Sequence, residues 1–241
     1  MRVAAILPAA GLGTRMGKAA AEKAGTSRKQ FMLLEGSPIL LHTVRKFAAS
    51  PLVTEIVVAL PAADLEWAGD LLRREITNKP ARVVEGGGTR QESVENALQT
   101  IDAETDLVAV HDAVRPFIDV DTIARVIEEA ATTGAAIVGI VPVDTVKRVN
   151  RAQNRGKISA TIPRDRLVLA QTPQVFRYDL LKRAFAEARA DGFTGTDESS
   201  LVERLDEVEV SVVMGSDRNI KITRPTDMEL ARLFLKEESR A

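Results

Sequence analysis

The sequence predicts an α/β fold: a mostly parallel sheet with helices on both faces and a β-hairpin arm projecting from it. Three observations predict it. Short apolar runs alternate with amphipathic stretches over the first 141 residues. Glycine-rich or acidic clusters directly follow several of those runs. After residue 141 the alternation gives way to charged, β-branched segments on both sides of a turn.

The apolar runs 3–7, 55–60, 81–85, 107–111 and 135–141 read as strands. The stretches 39–49, 64–74, 89–99 and 121–132 read as the helices between them. Ile39, Leu40, Val44 and Phe47 share one face of the first helix, and Ile123, Val126, Ile127 and Ala130 one face of the last. Strands that join through helices must run parallel and lie buried on both faces. Near-alternation in 145–149 and 157–162, with Asn150, Asn154 and Gly156 as turn signals, predicts a hairpin over about 142–166. A two-stranded ribbon is marginal alone, so a second copy of the chain is its simplest partner. Helical patterns follow at 177–190 and 197–205, and a closing helix at 228–236. Val208, Val210, Val212 and Met214 alternate with polar residues and predict a half-buried strand, antiparallel at an edge. No repeat or linker divides residues 1–241, so one domain with an arm is the economical organisation.

Composition sets limits on function. The chain has 241 residues, 45% hydrophobic and 28% charged, as in a soluble globular domain. A net charge of −1 gives no electrostatic footprint for nucleic acid, so a phosphorylated ligand has to be held by local cations. The absence of cysteine excludes disulfides and thiolate metal sites and fits a reducing cytoplasm. The first residues show no cleavage pattern of a signal peptide, and no apolar run approaches the roughly 18 residues of a membrane span.

Pro8-Ala9-Ala10-Gly11-Leu12-Gly13-Thr14-Arg15-Met16-Gly17, after the first strand, suits a polyphosphate. Gly11 and Gly13 let backbone N–H groups approach phosphate oxygens, and Arg15 adds a cation that stays protonated. Met16 stands where a dinucleotide fingerprint needs its third glycine, and Ala19 stands where a Walker A loop needs Ser or Thr. Lys29-Gln30-Phe31 closes the following polar loop, and Lys18, Lys23 and Lys29 all compete to cover the phosphates. Gly86-Gly87-Gly88-Thr89-Arg90-Gln91-Glu92-Ser93 ends a strand and opens a helix. Its glycines permit close approach to a flat base, Ser93 can reach it, and Thr89 with Glu92 forms a capping box. His111-Asp112-Ala113-Val114-Arg115 puts an acid at a strand's carboxyl end, a common place for a Mg²⁺ or hydroxyl contact. Arg115 serves either a phosphate or Asp112, and His111 reads as a core residue. Lys221 lies between Ile220 and Ile222, which in a strand turns it to the opposite face, toward pocket or solvent. Asp197 and Glu198 fit a helix N-terminus, and Thr226 a cap of the last helix. Two distant histidines and no cysteine supply neither zinc site nor nucleophilic triad. Glycine loops, many cations and a lone acid suit phosphoryl or nucleotidyl transfer.

Together with Pro142-Val143-Asp144-Thr145-Val146-Lys147-Arg148, Gln171-Thr172-Pro173-Gln174-Val175-Phe176, Thr196-Asp197-Glu198-Ser199-Ser200 and Asn219-Ile220-Lys221-Ile222-Thr223-Arg224-Pro225, these motifs run in one order along nearly the whole chain. The set resembles the 2-C-methyl-D-erythritol 4-phosphate cytidylyltransferases of non-mevalonate isoprenoid synthesis. The resemblance implies a Rossmann-like sheet of the nucleotide-diphospho-sugar transferase type, and transfer of CMP from CTP to methylerythritol 4-phosphate with Mg²⁺ and release of pyrophosphate. It implies that Arg15, Lys29 and Lys221 neutralise charge at the α-phosphate, and that Ala9, Ala10, Gly11 and Gly13 form the nucleotide loop. Gly87 and Ser93 would meet cytosine; Asp112, beside Ala113, would meet ribose, metal or acceptor. Arg115, Thr172 and Thr196 would line the acceptor site with Thr145 and Arg164 of the partner subunit in a homodimer. Ribitol 5-phosphate is the alternative acceptor; a dinucleotide oxidoreductase and a non-catalytic nucleotide sensor are readings from other classes. The loop between Met16 and Lys29 is longer than the family's pattern, and Arg28 replaces a proline before the lysine.

Overall fold

The computed structural model describes residues 1–11, 28–152 and 155–238. Gly13, Arg15, Lys18, Lys23 and Asn154 lie outside the described residues. The strands are β1 (Val3–Pro8), β2 (Leu33–Leu34), β3 (Ser37–Pro38), β4 (Glu55–Leu60), β5 (Ala81–Glu85), β6 (Leu107–Val110), β7 (Ala135–Ile140), β8 (Val146–Ala152), β9 (Arg155–Ile162), β10 (Leu169–Arg177) and β11 (Ser211–Met214). The helices are α1 (Ile39–Ala49), α2 (Leu65–Glu75), α3 (Arg90–Leu98), α4 (Val120–Thr133), α5 (Tyr178–Ala190), α6 (Glu198–Glu203) and α7 (Pro225–Glu238).

Seven strands form one sheet in the order β11-β7-β10-β6-β1-β4-β5, all parallel except β10. Side chains alternate across it, as the two-residue period of a strand requires. Val3, Ala5 and Leu7 enter the layer formed by α1, α2 and α4, whereas Ala4 and Ile6 enter the layer formed by α3, α5 and α6. Both faces are therefore dry, which is why these strands read as continuous apolar runs. The chain builds outward from β1 to β4 and β5, then returns to place β6 on the other side of β1. That reversal opens a crevice beyond the carboxyl ends of β1 and β6, the place where such sheets bind ligands.

One strand escapes the sequence reading, and one expected strand direction needs correction. The strand β10 is not visible as a strand in the sequence, because Gln171, Thr172, Pro173 and Gln174 interrupt its apolar pattern. It nevertheless lies between β6 and β7 and pairs antiparallel with both. Its register against β7 shifts between Ala170 and Gln174, and that irregularity accommodates Pro173. The edge strand β11 runs parallel to β7, not antiparallel. Helix α5 carries the chain along the sheet to residues 193–197, and α6 carries it back. The chain thus re-enters the sheet at the end where β7 begins. Val208 and Val210 pack against the inner core as expected, but Val212 and Met214 are exposed and Val213 faces the core near α4. An edge strand covered on one side alone permits this.

The hairpin forms as a separate two-stranded sheet, β8 with β9, paired from Val146 opposite Ile162 to Ala152 opposite Arg155. Asn150 and Gly156 lie within the paired strands, not in the turn. Ile158 is 66% exposed on this arm. Among the described residues no helix is long and apolar enough to cross a membrane.

Helix α4 begins with an Asp119 side chain accepting from Thr122 N at 2.6 Å and ends at Gly134, whose φ of 92° only glycine adopts without strain. Gly134→Ala is expected to lower the unfolding free energy by about 1–2 kcal/mol with an unchanged denaturant slope in urea titration.

Candidate active site

Four segments meet in the crevice and line a cavity of about 210 Å³: the loop after β1, the turn Lys29–Phe31, the glycine run with the start of α3, and the loop after β6 with Lys221. The first loop is tied down on both sides. Ala9 N donates to Ala59 O at 2.8 Å, and the buried Gln30 amide donates to Ala9 O at 2.6 Å and Gly11 O at 3.3 Å. The turn holding Gln30 is itself anchored on α2. Phe31 meets Trp67 edge-on with ring centres 4.9 Å apart, and Arg28 pairs with Asp64. The unusual Arg28 therefore pins the turn, and Lys29 stands in the cavity wall.

The glycine run is required by close packing between loops. A Cβ at Gly86 would come within 2.6 Å of the Ala10 side chain and 3.0 Å of Ser93 Oγ. A Cβ at Gly87 would come within 2.3 Å of Glu92, which folds back because Thr89 and Glu92 form the expected capping box. Ser93 is buried at the cavity wall; its hydroxyl donates to Thr89 O at 2.7 Å and accepts from Gly87 N at 3.1 Å.

Asp112 is the charged centre. Its side chain is 8% exposed, and three cations surround it. Arg90 Nε lies 3.2 Å from Oδ1; Arg115 Nε and Lys221 Nζ lie 3.1 and 2.9 Å from Oδ2. Burial alone would raise this carboxyl, but Arg90, Lys221 and Arg115 outweigh burial and hold it well below the carboxylate range. Arg115 also donates to Asn219 O at 2.7 Å, so it is committed to Asp112 and the backbone. Residues 219–223 form no strand, yet Ile222 is buried and Ile220 half-buried against α7, which turns Lys221 into the cavity. In the same segment Asp227, not Thr226, caps the start of α7, accepting from Thr223 N at 2.7 Å and Arg224 N at 2.8 Å.

Behind Asp112, His111 and Thr172 satisfy one another. Because Arg115 O can only accept, His111 Nε2, 3.1 Å away, carries the proton. His111 Nδ1 then accepts from the Thr172 hydroxyl at 3.0 Å, and that hydroxyl accepts from Asp112 N at 3.1 Å. Thr172 thus stands behind the cavity with its hydroxyl engaged. Complete burial pushes the His111 imidazole down to about 4.

Ala9, Ala10, Gly11, Lys29, Gly87, Ser93, Asp112, Ala113 and Lys221 all line the cavity. Arg115 and Thr172 back it. Thr196 is exposed in a small adjoining cleft with Arg90 and Gln91, and Thr145 and Arg164 are exposed at the base of the arm, where Arg164 donates to Val143 O. Sequence reasoning missed Arg90 and Glu198. Arg90 sits in the glycine motif, but its reach to Asp112 and Glu198 spans 22 and 108 residues. Among the described residues no three His, Cys, Asp or Glu gather around a metal position.

A sheet-end crevice that gathers glycine loops, two lysines and a buried acid is the arrangement an α/β nucleotidyltransferase needs. Comparison with known proteins narrows this. The family model described as IspD, 2-C-methyl-D-erythritol 4-phosphate cytidylyltransferase, matches residues 3–237. A protein of that name from Solibacter usitatus is 70% identical over 99% of this chain and 98% of its own length. Another from Acidobacterium capsulatum is 52% identical over 99% of both chains. Among solved structures, 4-diphosphocytidyl-2C-methyl-D-erythritol synthase from Anaerococcus prevotii superposes with a TM-score of 0.83 at 28% identity, covering 97% of this chain and 96% of that one. The cytidylyltransferase from Thermus thermophilus gives 0.76 at 31% identity, covering 98% and 100%. The chain belongs to the 2-C-methyl-D-erythritol 4-phosphate cytidylyltransferase family.

The buried His111 has a defined pH consequence. Its folded value lies below the unfolded one, so the unfolded chain binds the extra proton and stability falls as pH drops from about 6.5 to about 4. The depressed Asp112 acts in the same direction at lower pH, below its ordinary value. Urea titrations are expected to lose up to about 3 kcal/mol between pH 7 and 4 through His111, and His111→Gln to flatten that slope.

Proposed function

We propose that this enzyme transfers CMP from CTP to the phosphate of 2-C-methyl-D-erythritol 4-phosphate, giving 4-diphosphocytidyl-2-C-methyl-D-erythritol and pyrophosphate for isoprenoid precursor synthesis. The observation that carries it is the convergence of the family's glycine, lysine and acid motifs on one crevice, in a chain that matches the family model over residues 3–237. An oxygen of the acceptor phosphate attacks the α-phosphorus of CTP; the new P–O bond forms as the bond to the β-phosphate oxygen breaks, and pyrophosphate leaves with that electron pair. The acceptor is already an anion, so no general base is required. Lys29, Lys221 and Arg15 offset the charge that develops on the α-phosphate. The ion pair with Asp112 favours a preset position for Lys221. Ala9, Ala10, Gly11 and Gly13 receive the triphosphate; Gly87 and Ser93 meet the cytosine; Asp112 and Ala113 meet the ribose side. Thr196 serves the acceptor directly, and Arg115 and Thr172 serve it from behind the cavity wall by fixing Asp112.

Mg²⁺ would enter as an ion carried by the triphosphate, held mainly by phosphate oxygens and water. Asp112, the acid in the cavity, already has both oxygens engaged by Arg90, Arg115 and Lys221 and would have to exchange one of them to ligate the ion. Its chemistry is to neutralise phosphate charge. The exposed arm supports a homodimer in which Thr145 and Arg164 reach the partner's acceptor site. One domain with this arm, free of cysteine, fits a cytoplasmic enzyme.

With Mg²⁺ and methylerythritol phosphate, pyrophosphate release is expected with CTP well above the other three nucleoside triphosphates, and well above release with ribitol 5-phosphate. Preference for ribitol 5-phosphate would replace this reading with the neighbouring one. Lys29→Ala and Lys221→Ala are expected to lower kcat by about 3–4 kcal/mol of transition-state stabilisation while CTP affinity by calorimetry changes little. Separately inactive Lys29→Ala and Arg164→Ala proteins, unfolded and refolded together in equal amounts, are expected to regain about a quarter of wild-type activity, because half the dimers then hold one intact site. No recovery would count against the shared site.

A further inference from the structure

Glu198 is a buried ionisable side chain that the chemistry above does not use. It is 2% exposed, in the first turn of α6, directly after Asp197, which already caps that helix. A carboxylate is costly to bury, and a helix N-terminus is served as well by an exposed one. Its partner gives the reason for its place. Arg90 Nη1 lies 2.7 and 2.9 Å from the two Glu198 oxygens, and Arg90 Nε lies 3.2 Å from Asp112 Oδ1. Burial alone would lower the Arg90 guanidinium, but Glu198 and Asp112 outweigh it and hold Arg90 firmly protonated. One guanidinium therefore spans two buried carboxylates.

The surrounding contacts run the same way. Gln91, next to Arg90, donates to Phe193 O at 3.2 Å and accepts from Gly195 N at 2.9 Å. From β10, Gln174 donates to Asp197 Oδ2 at 2.8 Å and accepts from Ser199 N at 3.0 Å. The segment around the exposed Thr196 is thus fastened to the first turn of α3, the helix that carries Ser93 into the nucleotide cavity. A gap at Glu198 would free Arg90 to chelate Asp112 with two nitrogens, in competition with Lys221 and Arg115.

We propose that Glu198 is a positioning residue for the transfer: by holding Arg90 it sets how Asp112 presents its oxygens to Lys221, and so couples the acceptor-side segment 193–198 to the donor cavity. This rests on the assignment of donor and acceptor sides under Proposed function. Glu198→Gln keeps the shape and removes the charge. It is expected to lower the melting temperature, because a buried ion cluster loses one partner. Assayed where the variant is folded, it is expected to lower kcat about 10- to 100-fold while CTP affinity by calorimetry stays near wild type; Glu198→Asp, which keeps the charge, is expected to recover most of the kcat loss. A kcat for Glu198→Gln within twofold of wild type overturns the proposal. So does equal impairment of the Gln and Asp variants, which would assign Glu198 to packing. Should Glu198→Gln fail to fold, Arg90→Lys takes its place: one ammonium spans the two carboxylates poorly, so kcat is expected to fall, and turnover within twofold of wild type again overturns the proposal. Failure of the underlying function is distinct, because wild-type protein would then release no pyrophosphate from CTP and methylerythritol phosphate.

Discussion

The buried carboxylate of Asp112 is the constraint around which the rest of the site is arranged. An acid nearly sealed from water has to be neutralised by fixed cations, and here they come from three separate parts of the chain: Arg90 from the start of α3, Arg115 from the loop after β6, and Lys221 from the segment before α7. Removing one partner from such a buried cluster typically costs about 3–5 kcal/mol, since the remaining charges are left uncompensated in a medium of low polarity. The cluster therefore acts on assembly as well as on chemistry. It can form only when the sheet, the returning C-terminal segment and α3 are all in place.

Two features make this arrangement possible. The first is the dry sheet beneath it, whose alternating side chains enter separate helical layers, so that the nucleotide crevice forms at the carboxyl ends of β1 and β6. The second is the polar backing. His111, Thr172, Asn219 and Gln171 lie buried behind Asp112, and each has its place in a hydrogen-bonded chain: Asn219 donates at 2.9 Å to both Gln171 Oε1 and Thr172 O. Buried polar groups left unpaired would cost about 1–3 kcal/mol each, so this chain fixes the geometry of the loop after β6. The overall charge of −1 fits the same picture. The phosphate binding proposed above would draw on a few aimed cations, not on a basic surface.

Much of the fold could be read from local pattern. Each strand with both faces buried, β1, β4, β6 and β7 above all, announced itself by a continuous apolar run, and α1 and α4 by their helical spacing. The capping box at Thr89 and the cap at Asp197 were equally legible, because a cap is made within three residues of itself. The illegible element was β10. Its polar residues look wrong for a central strand until Asn219, His111 and Asp197 are brought beside them, and those partners lie far away in the chain. The direction of β11 failed for a related reason, since a helical pair sends the chain back to the end of the sheet where it started.

The candidate site divides along the same line. Sequence alone determined that glycine loops and an acid follow buried strands, that Lys29 and Lys221 belong to family motifs, and that a hairpin interrupts the α/β alternation. Only tertiary structure decided that Lys221 faces the cavity and not solvent, that Arg115 is committed to Asp112, that Gly86 and Gly87 are demanded by neighbouring side chains, and that Arg90 and Glu198 join the ion cluster around Asp112. The physical reason is range. Propensity, capping and periodicity act over a few residues, whereas ion pairing and close packing depend on which distant segments the folded sheet brings within about 3 Å of each other.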